Sequence, residues 1–307
     1  MSKIIAGGAG FIGQNFIKEL LKTRQNIVIV DNFTNSNLKT LKYFINNKNI
    51  KIIDCDLSNM NGAIKAIKEA KDFCLSSPEI WHFAANSDIP SGIKDSSVDF
   101  KDTFLTTYNL IEICKRINIK SFYFASSSAV YGDHKLKPLD EETGPMMPIS
   151  NYGAMKLASE GICFSAKENH LNHLRIFRFP NVVGSPATHG VILDFIKKLM
   201  NNPKKLNVLG NGLQQKSYLH VNDLIKGMLY LSKVKLNKSQ NPIFNLGNND
   251  TVTVKWIAEQ TVEAFSPKAE IIYESKDRGW IGDVPKFIYN TNKAKELGWE
   301  PILSSRE

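Results

Sequence analysis

The chain has 307 residues, of which 42% are apolar and 22% are charged, and its formal net charge is +9 at pH 7. These proportions are ordinary for a globular protein with a large core, and the sequence has no apolar run of membrane-spanning length and no signal segment, so we expect a cytoplasmic protein without a membrane partner. The positive charge suits an anionic ligand, and because the lysines are spread along the chain we do not expect a nucleic acid. Four scattered cysteines lack metal-ligand spacing, which predicts no metal site: Cys55, Cys74, Cys114 and Cys163.

A glycine-rich turn follows the first predicted strand. That strand, residues 3–6, is apolar apart from Lys3, and Gly7, Gly10 and Gly13 come next, before a helical pattern that runs through Leu21. Glycine is needed where the chain turns tightly and where the backbone must approach a pyrophosphate, and the helix that follows presents free N–H groups to phosphate. Because strand, glycines and helix occur together, the segment predicts a dinucleotide-binding turn.

The second predicted strand, residues 26–30, ends in Asp31. An acid about twenty residues after the glycines is typical of a residue that accepts hydrogen bonds from the adenosine ribose hydroxyls. No arginine that could pair with a 2′-phosphate follows in residues 32–36, so the sequence favours NAD over NADP. The alternative is an ordinary turn residue at the end of a strand.

Strands and helices alternate through the first part of the chain. Further strands are predicted over residues 50–53, 80–85, 121–125 and 175–179, and helices over residues 38–47, 59–70 and 97–117. Asp56 either reaches an adenine or caps the helix over residues 59–70. The alternation predicts an α/β fold, a Rossmann-type doubly wound parallel sheet with a smaller C-terminal substrate-binding α/β region. Ligands of such sheets bind beyond the carboxyl ends of the strands.

Two groups of polar residues are predicted to meet at that edge. The fifth strand runs into the hydroxyl cluster of residues 126–128, and a later helix begins with the YxxxK pair Tyr152 and Lys156. Four residues are about one helical turn, so these two side chains share a face. An ammonium one turn away favours the phenolate and lowers the pKa of Tyr152, which makes it a usable base. YxxxK alone would equally fit an exposed helix face.

The regular alternation ends after residue 179. We predict a first domain over residues 1–179, to which residues 217–247 return with a helix over residues 217–233. Residues 180–216 and 248–307 are predicted to form a second, substrate-binding domain.

Eight motifs then occur in a fixed order: GGAGFIG, Asp31 at a strand end, HFAA, SSSAVYG, YGAMK, RFPNVVG, GNGLQQKSYLHVND and DRGWIGDV. With them the chain resembles, over essentially its full length, the extended short-chain dehydrogenases/reductases of the NAD-dependent nucleotide-sugar epimerase/dehydratase family. The cofactor site expected for NAD comprises Gly7, Gly10, Phe11, Ile12, Gly13, Asp31, Asn32, Asp56, Leu57, Phe83, Ala84, Ala85, Tyr152 and Lys156.

The resemblance also implies roles for individual residues. Ser127 matches the active-site Ser/Thr, Tyr152 the base, and Lys156 the residue that holds the nicotinamide ribose. Asn181 and Arg278 are expected to contact the substrate diphosphate. Lys216 stands where many relatives have arginine, so the charge is kept but the bidentate fork is lost. Near the sugar we expect Ser87, Asp88, Ser128 and His189, the last either an added acid/base or a plain loop histidine.

Dehydratases of this family carry an Asp-Glu pair where this chain has Ser128 and Ala129, so dehydration is disfavoured. The expected reaction is oxidation at C4 of a GDP- or UDP-linked sugar. A 4-dehydrogenase would release the 4-keto sugar, with a GDP-manno-heptose for surface polysaccharide as the candidate substrate. The alternative is a 4-epimerase such as a UDP-glucose 4-epimerase. A non-catalytic NAD-binding regulatory or RNA-binding protein is a remote alternative. By analogy we expect a homodimer through residues 97–117 and 150–169.

Overall fold

The computed structural model describes residues 2–74 and 76–307. The strands are β1 (Lys3–Ala6), β2 (Ile27–Asp31), β3 (Ile50–Asp54), β4 (Glu79–His82), β5 (Ser121–Ser127), β6 (Pro138–Leu139), β7 (His173–Phe179), β8 (Asn181–Val183), β9 (Lys205–Val208), β10 (Gln215–Lys216), β11 (Tyr218–His220), β12 (Ile243–Asn245), β13 (Val252–Thr253), β14 (Glu270–Tyr273) and β15 (Ile288–Tyr289). The α-helices are α1 (Phe11–Leu20), α2 (Met60–Phe73), α3 (Ile89–Lys94), α4 (Ser96–Asp99), α5 (Thr106–Ile117), α6 (Asn151–Asn169), α7 (Val191–Asn201), α8 (Val221–Ser232), α9 (Val254–Phe265) and α10 (Asn292–Glu296).

A seven-stranded sheet in the described part of the chain has the order β12-β7-β5-β4-β1-β2-β3. All of its pairings are parallel. The chain moves outward from β1 in one direction through β2 and β3, and in the other through β4 and β5. The crevice beyond the carboxyl ends of β1 and β4 is therefore the topological switch point, where ligands of doubly wound sheets bind. The predicted fold class is confirmed.

Helices cover both faces of this sheet because its strands are apolar on both faces. Ile4 and Ile5 are both fully buried, and as neighbours in a strand they point to opposite faces. Ile5 belongs to the cluster that contains Phe16 of α1 and Met228 of α8. Ile4 packs in the cluster that contains Leu110 of α5. The result is a three-layer α/β/α arrangement.

A further core lies in the C-terminal part of the chain. Phe195 and Leu199 of α7 pack with Ile257 and Val262 of α9, and β9 pairs in parallel with β14 beside them. The domain boundaries remain a prediction. Among the described residues, no helix is long and apolar enough to cross a bilayer.

The helix predicted over residues 38–47 is wrong. Only Leu38–Leu41 is helical there, as a 3₁₀ turn. Leu41 and Phe44 are both buried, and the Phe44 N–H donates to the Leu41 carbonyl at 2.7 Å. Two apolar side chains three residues apart can therefore be buried by successive tight turns, without a full helix.

The long helix predicted over residues 97–117 is confirmed, with a π-helical segment in its middle. The segment is α4, a π-helix over Phe100–Leu105, and then α5. Threonine hydroxyls bind backbone carbonyls within it, from Thr106 to the Asp102 carbonyl and from Thr107 to the Thr103 carbonyl, both at 2.9 Å. Such back-bonding bends helices, and the Asn86 N–H donates to Thr103 Oγ1 at 3.1 Å. This tertiary contact ties the π-helical segment to the chain beyond β4.

The helix predicted over residues 217–233 begins later than expected. Tyr218–His220 is β11, which pairs in parallel with β8. His220 then caps α8 by accepting the Asn222 N–H. The strand places Tyr218 beside Asn181, in the region predicted to bind substrate.

Candidate active site

The glycine turn lies in the crevice between β1 and β4. Gly7 has a φ of +77°, and a Cβ there would collide with the backbone of Ala84, so both the backbone angle and the close approach require glycine. A Cβ on Gly13 would lie 2.6 Å from the Gly7 carbonyl oxygen. Glycine at these two positions lets α1 start directly over the end of the sheet.

The N-terminus of α1 is available to an anion. Gly10 is its N-cap residue and has no side chain with which to cap the helix. The first-turn N–H groups, at Phe11, Ile12 and Gly13, have no partner inside the helix itself. Phe11 and Ile12 pack their side chains partly against the core, so their backbone is what the crevice offers to a phosphate.

Asp31 links the glycine turn to the end of β2 through hydrogen bonds. Its Oδ2 accepts the Ala9 N–H at 2.9 Å, and its Oδ1 accepts the Phe33 N–H at 2.9 Å. Burial raises the pKa of the Asp31 carboxyl, and these two hydrogen bonds oppose that rise. The carboxylate lies beside the turn, as a ribose-binding acid must. Asn32, which follows, is exposed.

Asp56 does not cap α2, so that alternative is wrong. Asn59 caps it and accepts the Gly62 N–H at 3.1 Å. Asp56 instead accepts the Ser58 hydroxyl at 2.7 Å and pairs with Lys101 at 3.1 Å. Asp56 thus stays at the mouth of the crevice.

The predicted cofactor site also includes three residues that follow β4 in the chain, Phe83, Ala84 and Ala85, and one that follows β3, Leu57. The N–H groups of Phe83 and Ala84 both donate to the Ala6 carbonyl, at 2.8 and 3.0 Å. The chain therefore bends over the end of β1, with Ala85 half-buried after it. Leu57 is buried in the core, so its side chain is not offered to a ligand. The turn, the helix terminus and Asp31 together fit a dinucleotide.

The predicted catalytic trio is brought together by the start of α6. Ser150 caps this helix by accepting the Gly153 N–H at 3.1 Å. A Cβ on Gly153 would lie 2.5 Å from the Ala129 carbonyl oxygen, so glycine permits the helix to touch the turn after β5. Tyr152 thereby lies near Ser127, the last residue of β5, close enough for Ser127 to lower the pKa of Tyr152.

Lys156 lies one helical turn after Tyr152 and is only 2% exposed. Its Nζ donates to the Ala125 carbonyl at 2.7 Å and lies 5.7 Å from the centroid of the Tyr152 ring. Burial lowers the pKa of Lys156 to about 7. The ammonium therefore loses its proton far more readily than an exposed lysine.

The pKa of Tyr152 does not follow the expectation from sequence. Burial raises it to about 12, the hydrogen bond with Ser127 lowers it, and the charge of Asp99 raises it further. A phenolate is expensive to bury, and that cost outweighs the stabilisation. Ser127 is the neighbour that favours the ionisation of Tyr152.

The residues predicted near the sugar lie around the crevice mouth. Ser87 and His189 are exposed, and Thr188 Oγ1 lies 2.9 Å from His189 Nδ1. Desolvation lowers the pKa of His189 while the charge of Asp88 opposes this effect, so Asp88 and His189 are near neighbours. Ser128 opens the short 3₁₀ helix that follows Ser127.

Both cations predicted to bind the diphosphate are paired with acids. Lys216 is buried and forms an ion pair with Asp283. Arg278 Nη2 lies 3.1 Å from Asp133 Oδ2 and is more exposed. Asn181 lies opposite Tyr218 in the β8–β11 pair. A diphosphate would therefore compete with two carboxylates for these side chains, and their role stays a prediction.

Sequence reasoning missed the acids and the arginine buried behind the trio. Asp99 is fully buried and accepts the Asn86 amide at 2.8 Å. Glu160, one turn after Lys156, receives Arg178 Nε at 2.9 Å and Nη2 at 2.6 Å. The Glu160–Arg178 ion pair could have been expected from the sequence, because Arg178 lies inside a predicted strand and a buried arginine requires a partner. Nothing in the local pattern marks Asp99.

A parallel doubly wound sheet with a glycine turn at its switch point, and a Ser-Tyr-Lys trio at the same edge, defines a dinucleotide-dependent enzyme. Residues 4–247 match the NAD dependent epimerase/dehydratase family, and the chain belongs to that family. It is an enzyme of the extended short-chain dehydrogenase/reductase type, and its cofactor is NAD.

Relatives align over almost the whole chain. A putative UDP-glucose 4-epimerase of Methanocaldococcus jannaschii is 27% identical over 309 residues, which are 99% of this chain and 94% of that protein. UDP-glucuronic acid decarboxylase 1 of Xenopus tropicalis is 25% identical and covers 99% of this chain and 69% of its own length. A crystal structure of UDP-galactose 4-epimerase superposes with a TM-score of 0.84 at 32% identity, covering 100% of this chain and 95% of that one.

Proposed function

We propose that this enzyme oxidises C4 of a nucleotide-diphosphate sugar, through a 4-keto sugar. The observation that carries the proposal is the grouping of Ser127, Tyr152 and the buried Lys156, whose Nζ lies 5.7 Å from the centroid of the Tyr152 ring. It stands at the carboxyl edge of the sheet, beside the glycine turn, where proton transfer and cofactor can meet.

Each residue of the trio has a separate task in this mechanism. Tyr152 takes the proton of the C4 hydroxyl as general base. Ser127 hydrogen-bonds the same oxygen and stabilises the charge that develops on it. Lys156, when protonated, favours the phenolate of Tyr152. NAD bound at the glycine turn supplies the hydride acceptor.

Loss of water from the sugar is not expected. Ser128 and Ala129 follow Ser127, in the turn between β5 and β6. Neither a hydroxyl nor a methyl group serves as the acid or base that would expel a sugar hydroxyl at neutral pH. The product should keep every oxygen of the substrate.

The net reaction that we propose is that of a 4-dehydrogenase, with a GDP-manno-heptose as the candidate substrate. The second candidate is a UDP-hexose 4-epimerase, and the names of the relatives favour it: a putative UDP-glucose 4-epimerase and a UDP-galactose 4-epimerase. A regulatory or RNA-binding role without catalysis is the remaining alternative. The presence of all three residues, Ser127, Tyr152 and Lys156, argues against that role.

A screen of substrates separates these reactions. Purified enzyme is incubated with NAD and with GDP-, UDP- or dTDP-linked sugars, and the product is characterised by mass and NMR. A 4-keto product with stoichiometric NADH supports the dehydrogenase, and an unchanged mass with inverted C4 selects the epimerase. A product lighter by one water refutes the proposal, and so does the absence of any C4 chemistry across the panel. Tyr152→Phe is the inactive control.

We also propose that the enzyme is a homodimer. Phe100, Phe104 and Tyr108 recur at intervals of four residues, as neighbours on one helical face. Phe100 is 49% and Tyr108 is 41% exposed, and the Phe100 and Phe104 rings are 5.8 Å apart. Tyr108→Glu should yield a monomer in light scattering, while the control Tyr43→Glu at another exposed tyrosine should not. A monomeric wild type contradicts the proposal.

A further inference from the structure

The proposed mechanism needs Ser127 and Tyr152 to reach the same oxygen of the sugar, although the two residues belong to different elements. Ser127 is the last residue of β5, and Tyr152 lies in the first turn of α6. Their separation is therefore determined by how α6 packs against the end of β5. A displacement of about 1 Å between reacting groups can cost ~10²-fold in rate, so this packing has to be fixed closely.

Two side-chain hydrogen bonds join α6 to the end of β5. Lys156 Nζ donates to the Ala125 carbonyl at 2.7 Å, and one helical turn later Glu160 Oε1 accepts the Ser126 hydroxyl at 2.5 Å. Lys156 already has a task in the proposed chemistry. Glu160 is 2% and Ser126 is 1% exposed, so neither side chain is offered to a ligand, and their contact serves only to join the helix to the strand.

Arg178 fixes the Glu160 carboxylate. It lies in β7, where it is the register partner of Ser126, and it is fully buried. Its Nε donates to Glu160 Oε1 at 2.9 Å and its Nη2 donates to Glu160 Oε2 at 2.6 Å. A bidentate fork of this kind determines the orientation of a carboxylate as well as its position.

The remaining donors of Arg178 bind the segment between β5 and α6. Its Nη1 donates to the Tyr131 hydroxyl at 3.0 Å and to the Glu141 carbonyl at 3.5 Å, and its Nη2 also contacts Met146 Sδ at 3.4 Å. With the two bonds to Glu160, each N–H of the guanidinium has an acceptor. A buried polar network whose members are all satisfied is rigid. Arg178 therefore holds both α6 and the chain that leads into it.

Stability alone does not explain an ion pair at this place. The cost of removing two charges from water offsets most of their attraction, and an apolar pair of similar volume is often as stable. Apolar side chains, however, do not make contacts of fixed direction. The contribution specific to the Glu160–Arg178 pair is the geometry that it imposes on Ser126 and on α6.

We propose that Ser126, Glu160 and Arg178 are positioning residues, which fix the approach of α6 to the end of β5 and thereby the separation of Ser127 and Tyr152. The inference rests on the proposed roles of Ser127 and Tyr152. It assigns to the three positioning residues no contact with substrate.

The first test needs no substrate. Tyrosine labelled with ¹³C at Cζ is observed by NMR in the full chain, and Tyr152→Phe identifies the resonance. In Ser126→Ala the Tyr152 resonance should shift, because α6 loses a contact with the strand, whereas Ser126→Thr keeps the hydroxyl and should stay near the wild type. The matched control is Ser159→Ala. Ser159 is a fully buried serine of the same helix, but its hydroxyl donates to the Met155 carbonyl within α6, at 2.8 Å, so the Tyr152 resonance should not shift.

An unchanged Tyr152 resonance in a folded Ser126→Ala variant overturns the proposal, as does an equal shift in Ser159→Ala. If Ser126→Ala does not fold, the double variant Glu160→Gln/Arg178→Gln replaces it. That variant removes both charges together, so neither is left buried and unpaired. The same shift is expected, and an unchanged resonance again refutes the proposal.

The second test uses the substrate that the screen identifies. In Ser126→Ala, kcat per NAD-bound site should fall by about tenfold, less than the ~10²-fold loss for a full 1 Å displacement. KM and NAD affinity should stay near those of the wild type, and Ser126→Thr should restore kcat. A merely structural defect would lower the folded fraction and leave kcat per site unchanged.

The two tests separate this inference from the proposed reaction. An unchanged kcat in Ser126→Ala, with a wild type that oxidises the sugar, refutes the positioning role and leaves the reaction standing. If the Tyr152 resonance shifts as expected but no nucleotide sugar is oxidised, the positioning role stands and the proposed reaction fails.

Discussion

Replacement of Lys156 by methionine should abolish activity and yet make the protein more stable at neutral pH. Lys156 is 2% exposed, and burial lowers its pKa from 10.5 to about 7. Between these two values the unfolded chain binds a proton that the folded chain does not hold. The buried lysine therefore destabilises the fold fully below pH 7, and the penalty disappears as the pH rises toward 10.5.

The size of this effect follows from the two pKa values. Their difference corresponds to about 5 kcal/mol, of which about 4 kcal/mol applies at pH 7 and about 2 kcal/mol at pH 9. Methionine leaves the Ala125 carbonyl without its donor, which costs about 1–3 kcal/mol at any pH. The net gain at pH 7 should be about 1–3 kcal/mol, and it should decrease by about 2 kcal/mol between pH 7 and pH 9.

Urea unfolding at pH 7, 8 and 9, with the NAD content matched, measures both quantities. Lys68→Met is the control, because Lys68 is exposed on α2 and its replacement should change stability little at any pH. The reasoning is refuted if Lys156→Met is no more stable than the wild type and the difference between the two does not vary with pH. That result would mean that Lys156 is as well solvated in the folded protein as in water.

Three further predictions concern binding and catalysis. Tyr152→Phe should reduce hydride transfer by ~10²–10⁴-fold with NAD affinity nearly intact; an unimpaired single-turnover NADH signal would contradict its role as base. Arg278→Ala should weaken nucleotide-sugar binding by about 1.5–3 kcal/mol and leave NAD binding unchanged. Asp133→Asn should strengthen nucleotide-sugar binding because it releases Arg278. If calorimetry shows that Arg278→Ala loses NAD affinity instead, Arg278 does not belong to the nucleotide-sugar site. NAD should bind far better than NADP because Asp31 would face a 2′-phosphate, and similar dissociation constants for the two would contradict this.

The parts of the site that could be predicted from sequence are those set by short-range spacing. The glycine turn follows β1 directly, and Tyr152 and Lys156 are one helical turn apart. In both cases the spacing along the chain determines how the residues lie relative to one another. Ser127 could be placed beside them because the strands of a parallel sheet all end at the same edge. Family, fold class and cofactor follow from these features, and the comparisons confirm them.

The errors come from contacts between residues far apart in the chain. The helix expected over residues 217–233 begins late because Tyr218–His220 pairs with β8, and the helix over residues 97–117 becomes π-helical where the Asn86 N–H donates to Thr103 Oγ1. Arg278 and Asp133 are 145 residues apart, and Lys216 and Asp283 are 67 apart. Sequence shows the cations and suggests an anionic ligand, but it does not show which acids of the folded chain already neutralise them.

The pKa of Tyr152 could not be predicted for a related reason. Spacing predicts that Lys156 is near Tyr152, but burial acts on both residues at once and disfavours the charged form of each, raising one pKa to about 12 and lowering the other to about 7. At neutral pH Lys156 is then close to its own midpoint, so a small change in its surroundings alters how often the ammonium is present to favour the phenolate. Ser127 acts on Tyr152 directly, whereas Asp99 opposes the phenolate and supports the ammonium.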